Sequence, residues 1–366
     1  MALIKDIYSQ GFYNKFATSV EKVLPDFNKK QFVKQALGNG FSEMEWKDRM
    51  KHTTRTLHEF LPKGFPKAVK SIEKIITQLR KDGVGEDSLA YMFFPDYIET
   101  YGLDDFEHAA KAFEWLTQFV SCEFAVRPFI LKYGQRMINQ MTEWSLHENH
   151  KVRRFASEGS RPRLPWAMAI PELKKHPAAI LPLLNNLKND PHEWVRRSVA
   201  NNLNDISKDH PDIVMEIARQ WKGISKETDA IIKHGSRSLL KKGHAEMLRH
   251  YGLESKHIIL ADFKIMTPKV KIGGSVEFSF AVTNGFTAQQ TVRLEYGLYY
   301  NKANGQLARK VFKISERPYA PGEKCVISRK QSFKLITTRT FYAGPHELSV
   351  IINGEEKAKK TFTLLN

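Results

Sequence analysis

The sequence has 366 residues, with 57 Lys or Arg against 40 Asp or Glu and a formal net charge of +17. So long a chain is expected to form two domains, and so positive a balance suits a polyanion, either nucleic acid or an anionic membrane surface. A membrane span is excluded because no apolar run approaches about eighteen residues, and a secretory signal because the opening MALIKDIYSQGF lacks an apolar core. Cys122 and Cys325 lie far apart in apolar settings, and the histidines never fall into a ligand-like pair such as HExxH. The expectation is a soluble, cytoplasmic protein with two buried free thiols, no metal site and no cofactor.

The first strong helical signal is Ala109, Ala112, Phe113, Leu116, Phe119 and Val120. It leads into Phe119-Val-Ser-Cys-Glu-Phe-Ala-Val-Arg-Pro-Phe-Ile130, which reads as a buried inner helix with one carboxylate, Glu123. Desolvating a lone carboxylate is costly unless a cation compensates. Either Arg127, one turn later, pairs with it, or Glu123 points into a cavity on the concave face.

Val152, Phe155 and Ala156 predict the next helix, with Arg153, Arg154 and Ser157 on its other faces and Gly159 ending it. Glu158 then falls in the last turn, where it opposes the helix dipole at a cost of about 0.3 to 1 kcal/mol. Arg161 and Arg163 are the candidates to offset it. Pro162 and Pro165 stiffen the loop that carries them and Trp166. In the alternative reading Glu158 does no more than pair with Arg161, and Trp166 plugs a gap between helices.

Ile180, Leu183, Leu184 and Leu187 continue the helical pattern, Asn189-Asp190-Pro191-His192 is a turn, and Trp194, Val195, Val199, Leu203 and Ile206 form another stripe beside Arg196 and Arg197. The triplet Val-Arg-Arg at 152–154 returns at 195–197, with a looser echo from Ile231. A spacing of about forty residues predicts a HEAT-like α-solenoid over residues 1–257. From 258 to 366 the pattern alternates as strands do, in Ser275–Val282, Arg293–Tyr300 and His346–Ile352, with turn signals at Asn304-Gly305 and Asn353-Gly354. This predicts a smaller all-β immunoglobulin-like sandwich without its disulfide. From Ala261 onward seventeen Lys or Arg face eight Asp or Glu, an excess the sandwich does not need for folding, so its loops are a candidate second grip on phosphate.

SEGSRPRLPW after a VRR helix, SCEFAVRPFI and the opening ALIKDIYSQGF together resemble the AlkC family of bacterial DNA alkylation repair glycosylases, relatives of the AlkD family, some of which carry a C-terminal immunoglobulin-like domain. The resemblance implies excision of cationic alkylated bases, such as 3-methyladenine, 3-methylcytosine and 1-methyladenine, from double-stranded DNA, without base flipping. It carries catalysis to Glu123 and Glu158, and to Trp166, whose ring would face the lesion sugar. Arg161 and Arg163 would orient Glu158 or hold flanking phosphates. Arg153, Arg154, Arg196 and Arg197 would contact DNA, or in part serve as solvated faces or solenoid braces. A monomer in the bacterial cytoplasm, nucleoid-associated through DNA, is expected. Two other function classes stand beside this one: a non-catalytic DNA-binding solenoid, and a protein-binding scaffold, which would not require the positive charge. A Schiff-base lyase lacks its lysine in a comparable apolar run.

Overall fold

The computed structural model describes residues 3–38, 40–336 and 339–366; Ala2, the first residue of the opening motif, lies outside them. Among the described residues sixteen α-helices, from Gln10–Glu21 to Ala245–His250, precede eight β-strands, which is the helical-then-strand order that the two periodicities predict. No helix among them is long and apolar enough to cross a membrane.

The chain divides into two compact units. One runs to His210 and includes Gln220–Gly235; the other comprises Pro211–Arg219 and Ser236–Asn366. The core of the first begins in an aromatic cluster, where Phe16 meets Phe32 and Phe93 with ring centres 5.6 and 5.3 Å apart. It continues through Phe113, which lies against Phe129 and Phe155, and through Trp144 against Phe155.

The repeated Val-Arg-Arg triplet has the same structure twice. Val152 in the helix His150–Gly159 and Val195 in the helix Glu193–Ile206 are both fully buried. The arginine after each valine folds back on two carbonyls of the preceding turn: Arg153 Nη1 donates to His147 and Glu148 at 2.9 and 2.7 Å, and Arg196 Nη1 to Asp190 and Pro191 at 2.8 and 2.7 Å. These arginines brace one turn of the solenoid each.

Two glycines are required by close approach. A Cβ on Gly159 would meet Val126 Cγ1 at 2.7 Å and Met141 Cε at 2.9 Å, and one on Gly235 would meet Leu203 Cβ at 2.9 Å. Gly159 therefore sits inside its helix as a packing residue rather than ending it in a left-handed turn; Ser160, with φ of −84°, is the cap.

In the second unit the strands are β1 Ile258–Ile265, β2 Lys269–Lys271, β3 Ser275–Asn284, β4 Gln290–Asn301, β5 Leu307–Tyr319, β6 Lys324–Ser332, β7 Gly344–Ile352 and β8 Glu355–Leu365. They form two sheets, β1-β3-β6 and β2-β8-β7-β4-β5, antiparallel except for β2 beside β8. Val276, Phe278, Phe280, Leu294, Leu298 and Leu348 fill the core between them. Asn353 and Gly354 both have positive φ, 49° and 79°, as a two-residue hairpin turn requires. The segment before β1 packs on this sandwich, since Asn353 Nδ2 donates to the Glu254 carbonyl at 2.6 Å and a Cβ on Gly243 would lie 2.7 Å from the Gly354 oxygen. Both cysteines are free; Cys122 is buried as expected, whereas Cys325, on β6, is only half-buried.

Candidate active site

The helix His150–Gly159 starts where Asn149 Oδ1 accepts from the Lys151 N–H at 2.8 Å, and it buries Val152, Phe155 and Ala156. Its last turn carries Glu158, 7 % exposed, at the unfavourable end of the dipole. Two donors offset this. Arg161 Nη1 reaches Oε1 at 2.7 Å and Ser198 Oγ donates to Oε2 at 2.6 Å. Arg161 Nε continues to Asp205 Oδ2 at 2.9 Å, and Lys208 Nζ reaches the other Asp205 oxygen at 2.9 Å. Burial would lower the affinity of the Arg161 guanidinium for its proton, but Glu158 and Asp205 outweigh it and hold the group firmly charged. Two carboxylates and two cations thus alternate in one chain of charge-assisted bonds, which fixes the Glu158 rotamer.

Arg127 is fully buried and does not pair with Glu123 as an i,i+4 reading of the sequence expects. Its Nη1 donates to the carbonyls of Gly159 and Arg161 at 3.0 and 2.9 Å, and its Nε to that of Met168 at 2.6 Å. One guanidinium therefore clamps both ends of the loop after Glu158. Burial, and the neighbouring charge of Arg161, bring it down to about 10, against the pull of Asp205 and Glu158.

Glu123 lies in a turn and not in a helix. The preceding helix, Phe106–Leu116, stops short of Phe119 and Val120, and the next begins at Arg127. Pro128 explains the break: it lacks an N–H and is accommodated in a first helical turn, so the helix starts beside it. The partner of Glu123 is Arg154, whose Nη1 lies 3.3 Å from Oε2 and 3.1 Å from Ser121 Oγ. Arg154 and Glu158 open on one cleft of ≈ 350 Å³, lined also by Asp87, Ser121, Trp194, Arg197, Ser198 and Asn201. Asp87 adopts φ of +60° at its edge.

Trp166 is not a plug between helices. The residue is 84 % exposed, its φ is +65°, and its carbonyl accepts from Lys47 Nζ at 3.1 Å. A left-handed tryptophan costs about 1 to 2 kcal/mol. The clamped loop holds it there.

The remaining arginines differ. Arg163 forms a fork with Asp209 at 2.7 to 3.1 Å rather than reaching Glu158, and depresses the Asp209 carboxyl by that bond. Arg153 forks onto Asp190 at 2.6 and 3.1 Å, and Arg196 is spent on its carbonyls. Arg197 is exposed and faces the cleft.

Ser198, Asn202 and Asp205, all buried, were not singled out by the sequence analysis. Their signal was present as a polar stripe at helical spacing, one residue before Val199, Leu203 and Ile206. Asn202 Nδ2 donates to the Ser157 carbonyl at 2.9 Å, so this stripe is the seam on which the Glu158 helix rests.

Comparison with known proteins places this geometry. Residues 49–220 match the DNA alkylation repair enzyme family, and residues 259–366 match the C-terminal Ig-like domain of the uncharacterised protein YhaZ. Uncharacterized protein YhaZ of Bacillus subtilis (strain 168) is 44 % identical over 363 residues, covering 99 % of each chain. The solved structure of Pseudomonas fluorescens alkylpurine DNA glycosylase AlkC, bound to DNA containing an abasic site analog, is 33 % identical and superposes with a TM-score of 0.93 over 100 % of both chains. With the two domain families matched in order and the likeness running the whole length, the chain belongs to the AlkC family of DNA alkylation repair proteins.

Proposed function

We propose that this protein is a monofunctional DNA glycosylase that excises cationic N-alkylated bases, among them 3-methyladenine, 3-methylcytosine and 1-methyladenine, from double-stranded DNA without flipping them out. The observation that carries this reading is Glu158, a buried carboxylate held in one rotamer by Arg161 and Ser198 at the wall of a cleft that also presents two arginines, Arg154 and Arg197.

The chemistry asks for little more. A cationic base departs with the electron pair of the C1′–N bond and becomes neutral, so no strong general acid is needed. The sugar left behind carries oxocarbenium-like positive charge, which nearby carboxylates stabilise electrostatically. A water then bonds to C1′ and gives up a proton, which a carboxylate accepts and passes to solvent. Glu158 and Glu123 supply the carboxylates, and the exposed face of Trp166 offers cation–π attraction to the same charge. Arg154 and Arg197 supply phosphate contacts, while Arg161 acts on Glu158 and Arg153, Arg163 and Arg196 support the scaffold. The residues lining the cleft include no lysine, in keeping with hydrolysis rather than Schiff-base chemistry. The protein works as a monomer in the cytoplasm, since one solenoid can follow one duplex.

The test is incubation of the protein with methylated duplex DNA and chromatography of released bases. Release of 3-methyladenine supports the reading. Tight binding to the duplex with no base released replaces it with a non-catalytic damage-binding solenoid.

A further inference from the structure

The site as it stands contains a conflict. Glu123 stabilises a positively charged transition state best when its own charge is uncompensated, yet Arg154 sits on it. The attachment is weak by comparison with its neighbours. Arg153, Arg161 and Arg163 each place two nitrogens on carboxylates at 2.6 to 3.1 Å. Arg154 uses Nη1 alone, and its 3.3 Å contact with Glu123 is long for a charge-assisted bond, which is normally about 2.7 to 2.9 Å. Its side chain is 26 % exposed on the cleft, against 8 % for Arg161. Burial would favour its neutral form, but Glu123, Glu158 and Asp87 more than compensate, so it stays a cation. Glu158 has its own fixed partners, Arg161 on one oxygen and Ser198 on the other. Glu123 is therefore the carboxylate whose state depends on where Arg154 goes.

A duplex brings its own competitor. It carries a phosphate charge about every 1.7 Å along its axis, and phosphate accepts both prongs of a guanidinium where Glu123 engages one nitrogen. We propose that Arg154 is an exchangeable counter-ion, neutralising Glu123 in the free protein and moving to a DNA phosphate in the complex, so that backbone binding itself uncovers the carboxylate the reaction uses. This rests on the glycosylase reading and adds to it a positioning role: Arg154 acts through Glu123. The other charged groups at this place are Asp87, Arg197 and Glu158.

The exchange is read by binding alone, with full-length protein and a duplex carrying a tetrahydrofuran abasic-site analogue, on which no base can be released. Fluorescence anisotropy across a salt series gives the affinity and its slope for the wild type, Arg154→Gln, Glu123→Gln and the double variant. Arg154→Gln should lower the slope of log affinity against log salt by about 0.9, the loss of one phosphate contact. Glu123→Gln should tighten binding more when Arg154 is present than when it is absent, by about twofold or more, because the arginine no longer has to leave a carboxylate. An unchanged slope in Arg154→Gln, or additive effects of the two substitutions, overturns the exchange. Arg154→Met, which keeps the apolar stem, gives the same comparison if the glutamine variant folds poorly. Absence of base release from alkylated DNA by the wild-type protein would refute the glycosylase reading and leave this comparison standing.

Discussion

Arg161 Nη1 lies 2.7 Å from Glu158 Oε1, three residues earlier in the chain, and its Nε holds Asp205, more than forty residues away. A local pair is thereby tied to a distant helix, and the carboxylate at the end of His150–Gly159 is aimed by a group that the local sequence does not contain. The energetic consequence is asymmetric: the network is neutral when complete, and removal of one member leaves a buried charge half-matched.

Ser198→Ala should show this most cleanly. The substitution removes the donor to Glu158 Oε2 and the hydroxyl that pairs with Ser157 Oγ without adding bulk. Leaving a buried carboxylate oxygen without its partner should cost about 1 to 3 kcal/mol, read as a shifted midpoint in urea, and base release by the folded fraction should slow. A variant as stable as the wild type would mean that water replaces the hydroxyl at no cost.

Trp166 separates stability from activity. Because the residue is 84 % exposed, Trp166→Ala should change stability by no more than about 0.5 kcal/mol while strongly reducing excision. Trp166→Gly should melt no lower than Trp166→Ala, since glycine accepts the left-handed backbone that alanine resists. Trp166→Phe should keep part of the activity. Normal excision by Trp166→Ala would remove the ring from the site.

Glu99 gives a pH signature. Burial first, then the neighbouring Asp96, push its carboxyl from 4.5 up to about 7, against the pull of Lys51. Such a group holds its proton more tightly folded than unfolded, so its ionisation opposes folding. The penalty is absent below its unfolded value, grows as pH rises from 4.5 to about 7, and stays constant above. Glu99→Gln should therefore be more stable than the wild type at pH 8, by up to about 3 kcal/mol, and equal to it at about pH 4. Denaturant melts at the two pH values check this; the same gain at both would assign the effect to packing instead.

The sequence made the two kinds of secondary structure legible because each has its own period, and it located the Glu158–Arg161 pair because three residues on a chain stay close in space. It misplaced Glu123, since an apolar run looks alike in a helix and in a buried turn, and only Pro128 hinted at the break. The destinations of Arg127 and Arg154 were unreadable: each reaches a residue about thirty or more positions away, and periodicity carries no information at that range. The exposed left-handed Trp166 was equally hidden, because its conformation is imposed by the clamp of Arg127 and not by its neighbours.

The central claim is that the carboxylates of Glu123 and Glu158 stabilise charge and water during base release. Single-turnover release of 3-methyladenine from methylated duplex tests it most directly, in the wild type, Glu123→Gln and Glu158→Gln. Since Glu158 belongs to a buried ion network, its variant will also lose stability, so rates must be expressed per folded, DNA-bound molecule. Each substitution should slow release at least roughly tenfold, about 1.4 kcal/mol of barrier, without loss of DNA affinity. Wild-type rates in both bound variants would contradict the account.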